Sequence, residues 1–217
     1  MDGRFQDRTA AGQALAAHLR AYAGRQDVVV LGLPRGGIPV AYQVARTLRV
    51  DFDVLIVRKL GVPGYPEFAM GAIASGGARY LNQDLMQQIG ISAHSVAEVL
   101  ERERAELQRR EALYRGTRPP LDLRGRQVIV VDDGMATGAS MRVAVESLRS
   151  ATPARIVVAV PVAPADAAQR FAGIADEFVS VLSPADFRAV GQFYVHFGQT
   201  SDDEVRALLQ HGRGRAA

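Results

Sequence analysis

The residues best suited to chemistry lie in the stretch VIVVDDGMATGAS, which spans positions 128–140. Asp132 and Asp133 follow a run of apolar, mostly β-branched residues, and small residues then lead into a helical pattern. Backbone amides in such a loop and at the start of a helix bind phosphate. Two carboxylates that faced this phosphate would repel it, so we expect them to face the vicinal hydroxyls of a sugar or a metal ion. The stretch therefore predicts a site for a phosphorylated sugar.

A simpler interpretation stays open for the acid pair taken alone. An isolated Asp-Asp-Gly can be an ordinary turn in which one acid caps a helix or lies at the surface. The sequence has neither the Gly-x-x-x-x-Gly-Lys-Ser/Thr pattern of nucleoside triphosphatases nor a Gly-x-Gly-x-x-Gly fingerprint after a predicted strand. Triphosphatase and dinucleotide-binding functions are therefore disfavoured.

A second anion site is predicted in the stretch LPRGGIPVA at 33–41, which also follows an apolar run and leads into a helical pattern. Arg35 supplies a cation, and Gly36 and Gly37 let an anion approach the backbone. The alternative is a tight turn that needs glycine only for its backbone conformation.

A third candidate is the basic pair Arg58 and Lys59, which ends another apolar run and opens a segment rich in glycine and proline. Lys59 is the only lysine among 26 basic residues. Because a compact ammonium differs chemically from a planar guanidinium, its retention at this position suggests a specific role. Chance and an ordinary solvated basic pair are the alternatives.

Short apolar runs alternate with helical patterns along the chain. The runs predict strands buried on both faces, at 28–31, 54–57, 128–131 and 156–160. The helical patterns lie at 10–22, 37–48 and 140–150. This alternation predicts an α/β fold with a parallel sheet flanked by helices. Each candidate loop follows a strand, so the three should meet at the carboxyl edge of the sheet, where open α/β folds bind ligands.

A long charged helix is predicted at 95–115. It should begin at a capping box of Ser95 and Glu98, and pairs such as Glu106 with Arg110 and Glu98 with Arg102 should stabilise it. We expect this helix to form a solvated arm or a subunit contact.

The whole chain, 1–217, should form one domain. We expect a core at 28–160, a flexible loop with a hairpin at about 60–78, and a small hood with a C-terminal helix at about 161–211. Within the hood, a short helix is predicted near 166–171 and a strand at 177–182. The last helix should begin at the box of Ser201 and Glu204 and bury Val205, Leu208 and Leu209.

Composition excludes several classes of protein. Basic and acidic residues number 26 and 23, a net charge of +3 that is too balanced to predict nucleic-acid binding. There is no cysteine, no apolar run of about 18 residues, and no charged-then-apolar leader at 1–13. We therefore expect no disulfides, no membrane partner and a location in the cytoplasm.

The strand, acid pair and small-residue loop of 128–140 resemble the signature of the type I phosphoribosyltransferases. This resemblance implies that Asp132 and Asp133 hold the ribose 2- and 3-hydroxyls of 5-phosphoribosyl 1-pyrophosphate. It also implies that the ribose 5-phosphate is bound by the loop that follows, which consists of Gly134, Met135, Ala136, Thr137, Gly138, Ala139 and Ser140.

The same resemblance covers the other two candidate loops. Arg35, Gly36 and Gly37 occupy the place of the family's pyrophosphate loop, and Arg58 and Lys59 that of its basic pair beside a closing lid. It implies a transferase that acts on a small nitrogenous base and forms a homodimer. It also implies that Mg²⁺ is held through the substrate, with the acid pair as candidate ligands. The segments LPRGG, VRKLG, ExxMGA and QTSDDE, at 33–37, 57–61, 67–72 and 199–204, resemble an uncharacterised bacterial branch of the superfamily.

The acceptor base is not identified by these motifs. Family enzymes for 6-oxopurines carry an acid where this chain has Ala136, so hypoxanthine and guanine are disfavoured. Phe193, Tyr194 and Phe197 could stack on a base or could pack in the core. Glu67 could act in the loop or lie at the surface, and the four histidines show no zinc-ligand spacing.

Two rival functions stay open. A regulatory protein could keep the ribose-phosphate site as a sensor, but it would not require the basic pair and lid that an enzyme needs. A hydrolase would need a base that positions water, and the sequence offers no candidate for it.

Overall fold

A computed structural model describes residues 3–117, 119 and 122–212, with the backbone alone at 66–68. The strands are β1 Val28–Gly32, β2 Asp51–Val54, β3 Val57–Val62, β4 Tyr65–Ala74, β5 Arg79–Leu81, β6 Gln127–Val131, β7 Arg155–Val162 and β8 Glu177–Leu182. The α-helices are α1 Arg8–His18, α2 Gly37–Leu48, α3 Gln83–Gln88, α4 Ala93–Arg115, α5 Ala139–Arg149, α6 Ala167–Phe171 and α7 Asp202–Gly212. No helix among the described residues is both long and apolar enough to span a bilayer.

The main sheet has five parallel strands in the order β2-β1-β6-β7-β8. The strands β1, β6 and β7 are buried on both faces, because successive side chains point to opposite sides of the sheet and each side is covered by helices, whereas β8 at the edge is half-buried. Val28 and Val30 contribute to a core shared with α1, α2, α4 and α7, which we call the α2-side core. Val29 and Leu31 contribute to a core shared with α5 and α6, the α5-side core. The predicted α/β fold with a parallel sheet and flanking helices is confirmed.

One of the four predicted strands is misplaced. The run at 54–57 covers the last residue of β2, a crossing and the first residue of β3. Leu55 and Ile56 are buried, but the Ile56 amide donates to the Ser75 hydroxyl rather than to a neighbouring strand. A run of apolar residues indicates that the segment is buried but not that it is a strand. Here the buried segment continues past the end of β2.

Residues 60–78 consist mainly of strands β3 and β4 joined by a turn at 63–64 and followed by a 3-10 turn at Ser75–Gly77, whereas the sequence predicts a loop here. β3, β4 and β5 make a separate antiparallel sheet, so the expected hairpin is present. The glycines fit because Gly61 lies at a register shift, while a Cβ at Gly71 would collide with the carbonyl oxygen of Tyr80 on β5. Glycine at these positions marks close backbone approach within strands.

Helix α4 begins two residues earlier than predicted, and its N-cap is Ser92, whose hydroxyl accepts from the Ser95 amide at 3.1 Å. The prediction that a capping box at Ser95 begins this helix is therefore wrong. The ion pair between Glu106 and Arg110 is confirmed at 2.8 Å.

The expected pair of Glu98 with Arg102 is replaced, because Glu98 contacts His94 and Arg102 contacts Glu103. One side of α4 is buried through Val99, Glu103, Leu107, Tyr114 and Arg115. The helix therefore packs on the body of the protein and is not a free arm.

The C-terminal elements agree with the sequence pattern. α6 and β8 lie where they were predicted, but β8 is the edge strand of the main sheet, so that sheet extends beyond residue 160. Ser201 caps the start of α7 as predicted, because the Glu204 amide donates to the Ser201 hydroxyl at 3.1 Å, which is the serine half of the predicted box. Val205 and Leu209 are buried, and Leu208 is half-buried against the α2-side core.

Candidate functional site

The loops after β1 and β6 meet because these strands are neighbours and end in register, with Gly32 opposite Val131. The Leu33 amide donates to the Val131 carbonyl at 2.9 Å, which continues the pairing past the strand ends. A Cβ at Gly36 would collide with the carboxylate of Asp133, and one at Gly37 would lie 2.8 Å from the Cα of Asp132. Glycine is therefore required for the two loops to touch.

The acid pair lies at this junction. Asp133 Oδ2 accepts from Arg8 Nε at 2.8 Å and lies 2.8 Å from Arg8 Nη2. Asp132 Oδ1 accepts from the Asp133 amide at 2.8 Å. Burial and the neighbouring Asp133 carboxylate raise the pKa of Asp132 well above its ordinary value. Burial also raises the pKa of Asp133, although the Arg8 guanidinium opposes that rise. A hydroxyl donor or a cation bound here would stabilise the charged pair.

The small-residue loop follows and ends where α5 begins. Ala136, Thr137, Ala139 and Ser140 are exposed, whereas Gly134, Met135 and Gly138 are buried. Gly138 has a φ of +77°, a conformation that glycine adopts without strain. The Met135 amide donates to the Val162 carbonyl at 2.9 Å, so this amide is not available to a ligand. The part of the loop that can receive an anion is therefore 136–140.

Arg35 lies at the same edge of the sheet as the acid pair. Its side chain is exposed, and Nη1 is 3.9 Å from Oδ1 of Asp202, the first residue of α7. The same Asp202 oxygen accepts from the Tyr114 hydroxyl at 2.6 Å. Burial and this hydrogen bond raise the pKa of Tyr114 to about 12. The exposed Arg35 side chain is thus available to an anion. Its neighbour Asp202 is held by the hydrogen bond from Tyr114 of α4.

Arg58 and Lys59 do not share a face. They are adjacent on β3, so their side chains point to opposite sides. Arg58 is on the side of Leu60, which belongs to the α2-side core, and its Nη2 is 2.6 Å from Oε2 of the buried Glu103 on α4. Lys59 is on the side of Val57, which packs against the α5-side core, and it is exposed. Lys59 therefore faces the side on which α5 and the small-residue loop lie.

Arg8 is a site residue that the sequence pattern does not reveal. Besides Asp133, its Nη1 donates to the Gly198 carbonyl at 2.6 Å, and its guanidinium carbon is 4.2 Å from the centroid of the Phe197 ring. Arg8 precedes Asp133 by 125 positions, and one arginine among so many carries no local signal. The nearest hint is Asp7, whose carboxylate caps α1 through the Ala10 amide at 2.8 Å and so fixes Arg8 at the helix start.

A short C-terminal stretch, residues 193–198, lies against the N-terminal segment and the acid pair, and we call it the cover segment. The Phe5 amide donates to the Phe193 carbonyl at 2.8 Å, and the Val195 and His196 amides donate to the carbonyls of Phe5 and Gln6 at 2.9 Å each. The Tyr194 hydroxyl donates to the Asp133 carbonyl at 2.5 Å. The N-terminal segment and the cover segment thus complete the site.

The aromatic candidates separate by exposure. Phe193 and Tyr194 are 8% and 4% exposed, whereas Phe197 is 39% exposed and contacts Arg8 and the Tyr194 ring. The side chain of Glu67 lies outside the described residues. Nowhere in the described ranges do three or more His, Cys, Asp or Glu side chains form a cluster that could hold a metal ion by themselves.

Comparison with known proteins gives consistent matches. A family model described as "Phosphoribosyl transferase domain" matches residues 4–195. Proteins of Mycobacterium tuberculosis strains CDC 1551 and H37Rv, each named as a phosphoribosyl transferase, are 49% identical to this chain over 205 residues. The match covers 94% of this chain and 46% of each relative, so the chain spans about half the length of these relatives. The crystal structure of TT1426 from Thermus thermophilus is 44% identical, covers 97% of this chain and 100% of that one, and superposes with a TM-score of 0.86.

Proposed function

Since the chain belongs to the phosphoribosyl transferase domain family, we propose that it binds 5-phosphoribosyl 1-pyrophosphate with Mg²⁺ and transfers the phosphoribosyl group to a nitrogenous base, releasing pyrophosphate. One observation carries this proposal: the acid pair, the exposed small-residue loop and the Arg35 loop lie together at the carboxyl ends of β1 and β6. This is the edge at which open α/β sheets bind ligands.

The sugar end of the substrate fits the loop after β6. Ribose hydroxyls would donate to the carboxylates of Asp132 and Asp133, and the 5-phosphate would accept from donors of 136–140 and from the start of α5. Asp133 Oδ1 and Asp132 Oδ2 accept no hydrogen bond from the described residues, so each would be free to accept one from a hydroxyl.

The pyrophosphate end fits the loop after β1. Backbone amides near Gly36 and Gly37 and the side chain of Arg35 would bind the leaving group, with Lys59 reaching it from the α5 side. Arg58 would join them only after its guanidinium leaves Glu103. In this proposal Lys59 and Arg35 are the first cations to meet pyrophosphate, and Arg58 contributes through a change at the hairpin of β3 and β4.

The chemistry would be electrostatic. As the bond from C1 of the ribose to pyrophosphate breaks, positive charge grows on the sugar and negative charge on the leaving group. The acid pair would offset the first charge, and Arg35 and Lys59 the second. The base supplies the electron pair for the new bond at C1, so no nucleophile from the protein is needed.

The donor set at this edge fits Mg²⁺ as an ion shared with the substrate. Carboxylate oxygens are ligands that Mg²⁺ prefers, but the described residues provide only the pair at Asp132 and Asp133. The remaining ligands would be phosphate oxygens and water. When bound, the ion would neutralise charge on the pyrophosphate.

The identity of the base is narrowed by two residues. Ala136 is exposed in the loop and offers no carboxylate, which favours bases other than 6-oxopurines. Phe197 is a partly exposed ring next to Arg8, and a planar base could stack against its exposed part.

The proposal is tested by calorimetric titration of 5-phosphoribosyl 1-pyrophosphate with and without Mg²⁺, followed by a panel of bases with pyrophosphate release measured. We expect Mg²⁺-dependent binding and release of pyrophosphate with one class of base. In the double variant D132N/D133N, binding should weaken by at least about 100-fold, since hydrogen bonds to two charged groups are lost. An unchanged affinity in a folded double variant would show that the sugar binds elsewhere.

A sensor protein is the second candidate, and two contacts favour it. Arg58 is held by Glu103 and Asp133 by Arg8, so two groups proposed for catalysis already have partners in the protein. Tight Mg²⁺-dependent binding without pyrophosphate release from any base would support this function over the transferase.

The expected homodimer belongs to the same proposal. The inner side of α4 already packs on β3 and α7, so a subunit contact through α4 would use its outer, charged side. Light scattering after size-exclusion chromatography gives the mass in solution directly.

A further inference from the structure

The small-residue loop is held from behind by an arginine outside every motif discussed so far. Arg170, on α6, donates from Nη1 to the Thr137 carbonyl at 3.0 Å and from Nη2 to the Ala136 carbonyl at 3.3 Å. The same guanidinium lies 3.2 Å from Oδ1 of Asp166, one turn earlier in the chain. Two successive carbonyls of the loop therefore point toward one fixed cation.

This contact determines where the neighbouring amides point. In a trans peptide the carbonyl and the following N–H point in opposite directions. Because the carbonyls of Ala136 and Thr137 face Arg170, the amides of Thr137 and Gly138 face away from it. Neither amide donates to any other residue in the described part of the chain. Two free donors thus point out of the loop, on the side opposite the arginine.

The residue next to Arg170 holds the same loop by packing. Phe171 is 4% exposed, and a Cβ at Gly138 would lie 2.9 Å from its Cε2 atom. Its ring contacts Phe178 of β8, with centroids 5.7 Å apart, so it is braced by the main sheet. α6 therefore contacts the loop at two points. The Arg170 guanidinium binds the two carbonyls, and the Phe171 ring packs against Gly138.

We propose that Arg170 is a positioning residue for the ribose 5-phosphate: it acts through the carbonyls of Ala136 and Thr137 and keeps the Thr137 and Gly138 amides directed at the phosphate. This inference rests on the proposed function, because it assumes that the loop receives the phosphate monoester of the sugar. Arg170 is not in contact with the ligand. Its contribution is to make the loop's donors preorganised, so that binding does not have to order them.

The test uses ribose 5-phosphate, a probe that needs the sugar-phosphate part of the site and no pyrophosphate, base or metal. We expect R170Q to bind it about tenfold more weakly by calorimetry, the loss that corresponds to one weakened hydrogen bond to a charged group. R170K can reach one carbonyl at a time, so its affinity should lie between those of the original protein and R170Q.

Arg149 provides a matched control. It too is a half-exposed arginine, pairing with Asp176 at 3.1 Å and donating to the Ile174 carbonyl at 3.0 Å, but it lies at the far end of α5. R149Q should lower the melting temperature as much as R170Q does while leaving ribose 5-phosphate affinity within about twofold of the original.

The outcomes separate the two proposals. If the original protein binds ribose 5-phosphate and R170Q binds it equally well, the inference about Arg170 is wrong and the proposed function stands. If R149Q weakens binding as much as R170Q, the effect is general destabilisation and the positioning role is wrong. If the original protein does not bind ribose 5-phosphate at all, the loop is not a site for the phosphate monoester and the inference is overturned, while the titration of 5-phosphoribosyl 1-pyrophosphate decides the proposed function.

Discussion

At the scale of single residues, the acid pair shows how a binding site can lower the stability of the folded protein. Asp132 and Asp133 are adjacent, withdrawn from solvent and compensated by one guanidinium, that of Arg8. Their charged forms are disfavoured in the absence of a ligand. Sites that hold like charges in this way commonly lower stability, and activity depends on them.

We therefore predict that D132N stabilises the ligand-free protein. A carboxyl whose pKa is higher in the folded than in the unfolded state lowers stability at pH values above the folded pKa, and this cost disappears as the pH falls to the unfolded value near 4. At pH 7 the melting temperature should rise by roughly 2–4 °C, the shift that about 1 kcal/mol produces in a chain of this length. The gain should shrink toward pH 4.

Asp176 gives the opposite control. Its burial raises the pKa, but hydrogen bonds from the Ile156 amide and Arg149 outweigh burial, so its pKa is lowered. D176N should therefore lower the melting temperature at pH 7. Calorimetric scans of both variants from pH 4 to 7 check the two signs, and a D132N protein less stable than the original at pH 7 would contradict the prediction.

At the scale of elements, α4 controls one of the proposed catalytic cations. Glu103 is buried against β3 and receives the guanidinium of Arg58. Glu106, three residues later on the same helix, pairs with Arg109 and Arg110 at the surface. The same residue type on one helix thus has a buried and an exposed copy.

We predict that E103Q lowers the free energy of unfolding by about 2 kcal/mol, because it removes the charge that compensates the partly buried Arg58. E106Q is the matched control and should have little effect, since exposed pairs are screened by water and salt. Chemical denaturation of both variants measures the difference. Equal effects would mean that Arg58 does not depend on Glu103.

The same elements explain how far the sequence could be interpreted. The strand ends at Gly32 and Val131, the helix starts at Gly37 and Ala139, and the loops between them follow from local patterns of apolar and small residues. The sequence could not predict which side of β3 the Arg58 and Lys59 side chains point to, because this depends on β3 beginning at Val57. A shift of one residue along a strand reverses every side chain.

Arg8 and Arg170 were missed for a different reason. Their partners lie 125 positions away for Arg8 and 33 or 34 positions away for Arg170. Neither spacing belongs to a helix or strand period, so only the assembled fold brings these contacts together.

At the scale of the whole molecule, the N-terminal segment and the cover segment join over the site. The cover segment pairs with residues 5 and 6, and Arg8 joins it to the acid pair. The main sheet does not depend on these contacts, because its strands pair only with one another.

We predict that deleting residues 1–6 removes the backbone hydrogen bonds that hold the cover segment and leaves the main sheet intact. The amides of Val195 and His196, which donate to carbonyls of Phe5 and Gln6, should lose most of their protection in hydrogen exchange. The amide of Val130 in β6 serves as the internal reference and should keep its protection. Val195 and His196 amides that stay protected would show that the segment is held without its N-terminal partner.

The pairing of the N-terminal segment with the cover segment also has a consequence for synthesis on the ribosome. Gly198 follows Arg8 by 190 positions, and at about 5–20 residues per second it is added roughly 10–40 s later. Asp133 is made in between, 125 positions after Arg8. For part of that interval a growing chain carries both members of the Arg8 and Asp133 pair but not the segment that closes over them, so the site is complete only after Gly198 has been added.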